Sequence, residues 1–228
     1  MKDIIPVVDK DTLLVFDIDN TLVCPITDFG SDQWLFYIVD RYMKVFNLSH
    51  EVALDKGIEL WVEVQKQIMV EPVETDTPEM VKNFQQKGIK IMGLTARKFA
   101  DMDFTVKHLD SAGIHLGDST IYDSELELTS DDSAKFSNGI LYVGEKNNKA
   151  KVLDLFLKKI GKNVSKIVFV DDKEKHVTNL ENVFGKSSVS FTGFRYGATD
   201  DRVKSFKQDM ADLDRVNEQL EKLNPGAE

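Results

Sequence analysis

Cysteine is almost absent from this 228-residue chain, where Cys24 stands alone. An internal disulfide and a cysteine-based zinc cluster are therefore excluded. Cys24 reads as a small loop residue, with a redox-sensitive thiol as the other reading. Histidine is scarce too: His50, His108, His115 and His176 show no metal-ligand spacing and read as surface or loop filling without a catalytic role. No apolar run approaches the roughly 18 residues of a membrane helix, and Met1-Lys2-Asp3-Ile4-Ile5-Pro6 lacks the apolar stretch of a secretory signal. A cytoplasmic protein with no membrane partner is the default expectation, and an exported mature form stays open. Positive charge is in deficit, with 29 basic against 39 acidic residues, a net charge of −10 and a pI near 5.0, which argues against nucleic acid as a partner. The exception is a run of Lys146, Lys149, Lys151, Lys158, Lys159, Lys162 and Lys166, which reads as a solvated helix surface or as an anion-binding face.

What is present is enough apolar material for a substantial core. A hydrophobic content of 42% beside 30% charged residues suits a globular chain of one domain plus an insertion, or of two small domains. Residues 13–18 form a short apolar run that reads as a buried strand. Ser31 and Ser49 then cap two segments of helical periodicity, the first carrying Trp34, Leu35, Ile38, Tyr42, Val45 and Phe46, the second Leu60, Trp61, Val64 and Ile68. Thr77-Pro78 starts a helix that Lys87-Gly88 stops. Ile89 to Leu94 is a second buried strand, followed by a helix over residues 98–111. Asn138-Gly139 between apolar flanks signals a hairpin within an irregular stretch, 116–145. A helix over 148–160, a strand at Ile167 to Val170, a short strand near Val189 to Phe194 and a terminal helix from Asp200 to Leu223 complete the pattern. Strands alternating with helices predict an α/β fold, a doubly wound, Rossmann-like parallel sheet covered on both faces. The expected division is a core of residues 1–25 and 74–228, with a helical insertion at 26–73 and a smaller hairpin insertion at 116–145.

The chemistry gathers where strands end. Asp17-Ile18-Asp19-Asn20-Thr21, Thr95-Ala96-Arg97 and Asp171-Asp172 each follow a buried strand, and parallel strands bring such ends to one crevice. Two carboxylates as close as Asp17 and Asp19 call for compensation, since like charges raise one pKa; a hard cation such as Mg²⁺ would supply it.

These ordered elements resemble the haloacid dehalogenase-like (HAD) superfamily, whose signature is Asp-x-Asp-x-Thr, a later Thr or Ser, a Lys and a late acidic pair. The likeness covers roughly residues 9–175. It implies an Mg²⁺-dependent phosphatase acting on a small phosphomonoester, with Asp17 as nucleophile forming an aspartyl-phosphate and Asp19 as acid-base group. Metal ligands would be Asp17, the Asp19 backbone carbonyl, Asp171 and Asp172, the last directly or through water. Thr95 and a lysine would bind the phosphoryl group. Lys146, Lys149 and Lys151 all lie at a suitable distance; helical phase favours Lys149, which shares a face with Val152, Leu153 and Phe156. Arg97 joins the phosphate-binding candidates, a surface ion pair being its other reading, as does Asn20, which shares the turn with Thr21. The resemblance further implies that the insertion at 26–73 is a cap closing over the site, where Trp34, Tyr37 and Trp61 would either stack on a substrate or pack the helices together. Gln33-Trp34 and Gly193-Phe194-Arg195-Tyr196-Gly197 resemble a little-characterised bacterial branch, whose exported members keep localisation open. A phosphotransferase or phosphomutase is the neighbouring alternative, and a catalytically quiet protein-binding module the alternative of another class. Nothing in the pattern specifies an oligomeric state.

Overall fold

A computed structural model describes residues 1–129, 134–144 and 146–206. In chain order the elements are β1 (Thr12–Phe16), β2 (Val23–Pro25), α1 (Asp32–Phe46), α2 (His50–Gln65), β3 (Val70–Pro72), α3 (Thr77–Gln86), β4 (Lys90–Thr95) and α4 (Met102–Ser111). They continue with β5 (Leu126–Glu127), β6 (Lys135–Ser137), β7 (Ile140–Tyr142), α5 (Lys149–Ile160), β8 (Lys166–Asp171), α6 (Glu174–Phe184), β9 (Ser190–Arg195) and α7 (Asp200–Lys204).

The main sheet runs β5-β6-β7-β4-β1-β8-β9 and is parallel from β7 to β9, with an antiparallel hairpin at its β5 edge. All five residues of β1 are buried, as a central strand covered on both faces requires. Side chains alternate across a strand, so Leu13 and Val15, Met92 and Leu94, and Ile167 and Phe169 share one face, where they meet Leu153 and Phe156 of α5 and Val177, Leu180 and Phe184 of α6. On the opposite face Leu14, Phe16, Ile91, Val168 and Val170 are just as fully buried. Each such side chain contributes roughly 1.5–3 kcal/mol by leaving water.

Local signals explain most boundaries. Ser31 accepts from the Trp34 N–H and Ser49 from the Val52 N–H, capping α1 and α2. Asn148 caps α5 with bonds from the Ala150 and Lys151 N–H groups, and Gly161, at φ +62°, ends it. Asn138 and Gly139, both at positive φ, make the two-residue turn between β6 and β7. One helix, α6, departs from the sequence expectation, which passed from Asp172 straight to the strand near Val189. Its signal was present, for Val177, Leu180 and Phe184 are buried at helical spacing.

The chain forms two compact units. One comprises Met1–Cys24 and Glu71–Thr199 and holds the main sheet; the other comprises Pro25–Val70 and, among the described residues, 200–206. The chain leaves the first unit through β2 and returns through β3, which pair as a two-stranded ribbon. In the second unit α1 pairs with α2, Trp34 and Trp61 are buried, and Trp61 Nε1 donates to the Gly30 carbonyl at 2.9 Å. Both tryptophans therefore pack the helices. Of the terminal helix expected to Leu223, the described residues hold α7, which groups with this second unit and not with the core; residues from 207 on lie outside the description.

Candidate active site

Sheet topology decides where ligands can approach. From β1 the chain moves outward through β4 to β7, then crosses by α5 to β8 on the other side of β1. Such a reversal is where open α/β sheets place their ligands, beyond the carboxyl ends of the central strands. Phe16 pairs with Val170, and the Asp17 N–H donates to the Val170 carbonyl at 2.9 Å, so Asp17 and Asp171 leave adjacent strands side by side. Past Asp17 the chain turns sharply. The N–H groups of Thr21, Leu22 and Val23 all donate to the Ile18 carbonyl, and Asn20 takes the left-handed conformation at φ +59° that such a turn requires and asparagine tolerates.

Two charged clusters result. In the first, Lys149 Nζ donates to Asp17 Oδ1 at 2.6 Å and to Asp171 Oδ2 at 2.8 Å, all three side chains being nearly or wholly buried. Burial and the charge of Asp171 push Asp17 well above the usual carboxylate range, with Lys149 opposing them. Burial works the same way on Asp171, but Lys149 and His176 outweigh it and bring that carboxyl down to about 2. Lys149 is itself pushed up, its burial overcome by the two carboxylates. Of the three candidate lysines, the structure thus brings Lys149 to the acidic residues, while Lys146 and Lys151 are exposed.

The second cluster holds Asp19. Arg97 grips it with both prongs, Nη2 to Oδ1 at 2.6 Å and Nε to Oδ2 at 3.0 Å. Far from being a surface pair, Arg97 has a side chain only 3% exposed. Its Nη1 donates to Thr105 Oγ1, which donates in turn to the Asp101 carbonyl, and the Phe104 ring lies 5.1 Å from the guanidinium. Burial pushes Asp19 up, yet the charge and hydrogen bonds of Arg97, helped by Lys173 and His108, hold it below the usual carboxylate range. Thr95 is buried at the end of β4, its hydroxyl accepting from the Arg97 N–H at 3.1 Å.

Two histidines correct the expectation that all were surface or loop filling. His108 is buried on α4, and His176, in the first turn of α6, places Nδ1 3.0 and 3.1 Å from the two oxygens of Asp171. It is α6, absent from the sequence expectation, that returns position 176 to the strand end.

Asp17, Asp171 and Asp172 offer carboxylate oxygens that lie within 4.8 Å of one another. Oxygens around one hard cation, bound at roughly 2.0–2.6 Å each, stand no farther apart than about 4–5 Å. An oxygen donor set of that compass fits Mg²⁺ by chemistry and by size.

Known proteins agree with this fold. A solved structure of a candidate haloacid dehalogenase-like hydrolase from Bacteroides fragilis matches with a TM-score of 0.51 at 12% identity, covering 86% of this chain and 94% of that one. A candidate phosphatase from Clostridium difficile matches at 0.50 and 12%, covering 84% and 97%. At such identities the likeness shows the fold. Among sequence relatives, a Chlamydia pneumoniae protein named as a candidate outer membrane protein is 23% identical over 190 residues, 83% of this chain and 71% of that one. An uncharacterised protein of Rickettsia prowazekii is 23% identical over 233 residues, covering 91% and 80%. No described helix of the present chain is long and apolar enough to cross a membrane. A single family model spans residues 1–225, so the chain belongs to the family described as protein of unknown function (DUF2608).

Proposed function

We propose that the protein is an Mg²⁺-dependent phosphatase of small phosphomonoesters that works through an aspartyl-phosphate on Asp17. The observation that carries this reading is the meeting of Asp17, Asp171 and Lys149 at the carboxyl ends of β1, β8 and the start of α5, with Asp172 within metal-sharing distance. Asp17, Asp171 and Asp172, with the Asp19 backbone carbonyl, would hold Mg²⁺, which supplies positive charge against the phosphoryl oxygens.

The chain's own residues divide the remaining work. An Asp17 oxygen attacks phosphorus, the bond from phosphorus to the ester oxygen breaks, and Asp19, acting in its protonated form, gives that oxygen its proton. Water then attacks the aspartyl-phosphate, losing a proton to Asp19 and releasing phosphate and free Asp17. Lys149 holds Asp17 in position and offsets charge on the phosphoryl group. Thr95, Asn20 and Arg97 complete the phosphate-binding set. Arg97 also favours the ionised Asp19 that the second half-reaction needs. The helices of residues 26–73 are the proposed cap.

Phosphate release from an aryl phosphate, measured with and without Mg²⁺, tests the proposal. Asp17→Asn should lower the metal-dependent rate by at least about 10³-fold, since the nucleophile is lost while the shape is kept. Undiminished metal-dependent release by this variant removes Asp17 from the role.

A further inference from the structure

Asp171 is wholly buried, and donors already crowd its oxygens. The Lys173 N–H reaches Oδ1 at 2.8 Å, Lys149 Nζ reaches Oδ2 at 2.8 Å, and His176 Nδ1 lies 3.1 Å from Oδ1 and 3.0 Å from Oδ2. A carboxylate offers about four acceptor positions, and three donors, one of them facing both oxygens, occupy most of them. Near-equal distances set Nδ1 between the two oxygens, so the imidazole covers both of them. The carboxylate fixes the imidazole with its proton on Nδ1, because only an N–H at that position is attractive to it.

The three donors differ in how freely they can leave. Lys173 donates from the main chain, just before the first turn of α6. Lys149 is bound to Asp17 as well, and its side chain is 3% exposed. His176 is tied by side-chain torsions alone, and its side chain is 22% exposed. For Asp171 to present an oxygen to a metal, the donor that gives way is the imidazole.

We propose that His176 is a placeholder for the divalent cation, holding Asp171 in the metal-free protein and leaving it when the cation binds. This rests on the metal-dependent reading above and adds to it a residue that competes with the metal for one of its ligands. Apparent metal affinity is then set partly by the strength of the bond between His176 and Asp171. In exchange, the metal-free carboxylate keeps its position beside Asp17.

Calorimetric titration of the 228-residue chain with MgCl₂ at one fixed pH tests the idea. His176→Ala and His176→Phe both remove the donor, the second while keeping a ring in place. His176→Asn keeps an N–H close to where Nδ1 stands. Loss of the competing bond should tighten Mg²⁺ binding about tenfold in the first two variants, a change of about 1.4 kcal/mol, while His176→Asn stays within about threefold of the parent. The metal-free melting temperature should fall in the Ala and Phe variants and fall less in the Asn variant. Damage to the fold would weaken binding, so tighter binding is a result that a merely structural role does not produce. Unchanged or weaker binding by both donor-free variants overturns the placeholder while leaving the metal site in place. A parent chain that binds no Mg²⁺ overturns the metal-site reading and the placeholder with it.

Discussion

Asp17 and Asp19 are separated by one residue, yet they stand in different electrical surroundings. Asp17 shares one buried cation, Lys149, with a second carboxylate, so two negative charges lean on one positive charge. Asp19 has a guanidinium gripping both its oxygens. The first arrangement raises the Asp17 pKa and the second lowers that of Asp19. The Asp17 side is short of positive charge, which a divalent cation would supply, whereas the Asp19 side is balanced by the chain itself.

The sharpest way to break this comparison is to remove the shared cation. Lys149→Met would leave Asp17 and Asp171 as buried like charges with their strongest donor gone. Breaking a buried pair from one side costs about 3–5 kcal/mol, so urea unfolding of the metal-free variant at neutral pH should show a loss of that order. A loss below about 1 kcal/mol would mean that Lys149 is not the countercharge of this cluster.

Arg97 offers a smaller effect with a diagnostic pH dependence. Asp19 is 24% exposed at its side chain and can recruit water, so Arg97→Met should cost less, about 1–3 kcal/mol at neutral pH. Because the folded pKa of Asp19 lies below its unfolded value, the ion pair stabilises fully above the unfolded value and is lost as pH falls through the folded one. The stability gap between parent and variant should therefore narrow as pH drops below about 4. A gap that ignores pH would assign the loss to the packing of Arg97 on Phe104 instead of to its charge. Asp17 runs the other way, as its raised pKa means that protonation favours the metal-free fold as pH falls.

How much of this was legible in the sequence follows from the range of each signal. The apolar runs of β1, β4 and β8 and the polar residues just beyond them are local, and parallel pairing carries them to one place. Helical phase singled out Lys149 because the buried residues of α5 lie three, four and seven positions onward. The Arg97 contact with Asp19 spans 78 residues, and nothing near Arg97 distinguishes a partner across the sheet from solvent. His176 was hidden for a different reason: its helix is short, with polar residues Glu174, Lys175 and Thr178 around its first turn. The helical unit of residues 25–70 was legible as helices and silent on chemistry. Its caps and stripes describe packing, and its aromatic residues Trp34 and Trp61 are used for that packing.

The smallest expected effect lies beside Arg97. Tyr142 is wholly buried on β7, next to Thr95, with the Phe99 ring edge-on at 5.7 Å. Its hydroxyl has no hydrogen-bond partner among the described residues. Burial pushes the phenol pKa up, Arg97 opposes that push, and Asp101 and Asp103 reinforce it, so the group stays neutral. A buried hydroxyl without a partner loses its hydration and gains no bond in return. Tyr142→Phe should therefore leave stability unchanged or raise it by up to about 1 kcal/mol, read as a small upward shift in melting temperature. A loss above about 1 kcal/mol would show that the hydroxyl supports the Arg97 cluster, and the contrast between the two halves of the site would then have to include a third polar group on the Asp19 side.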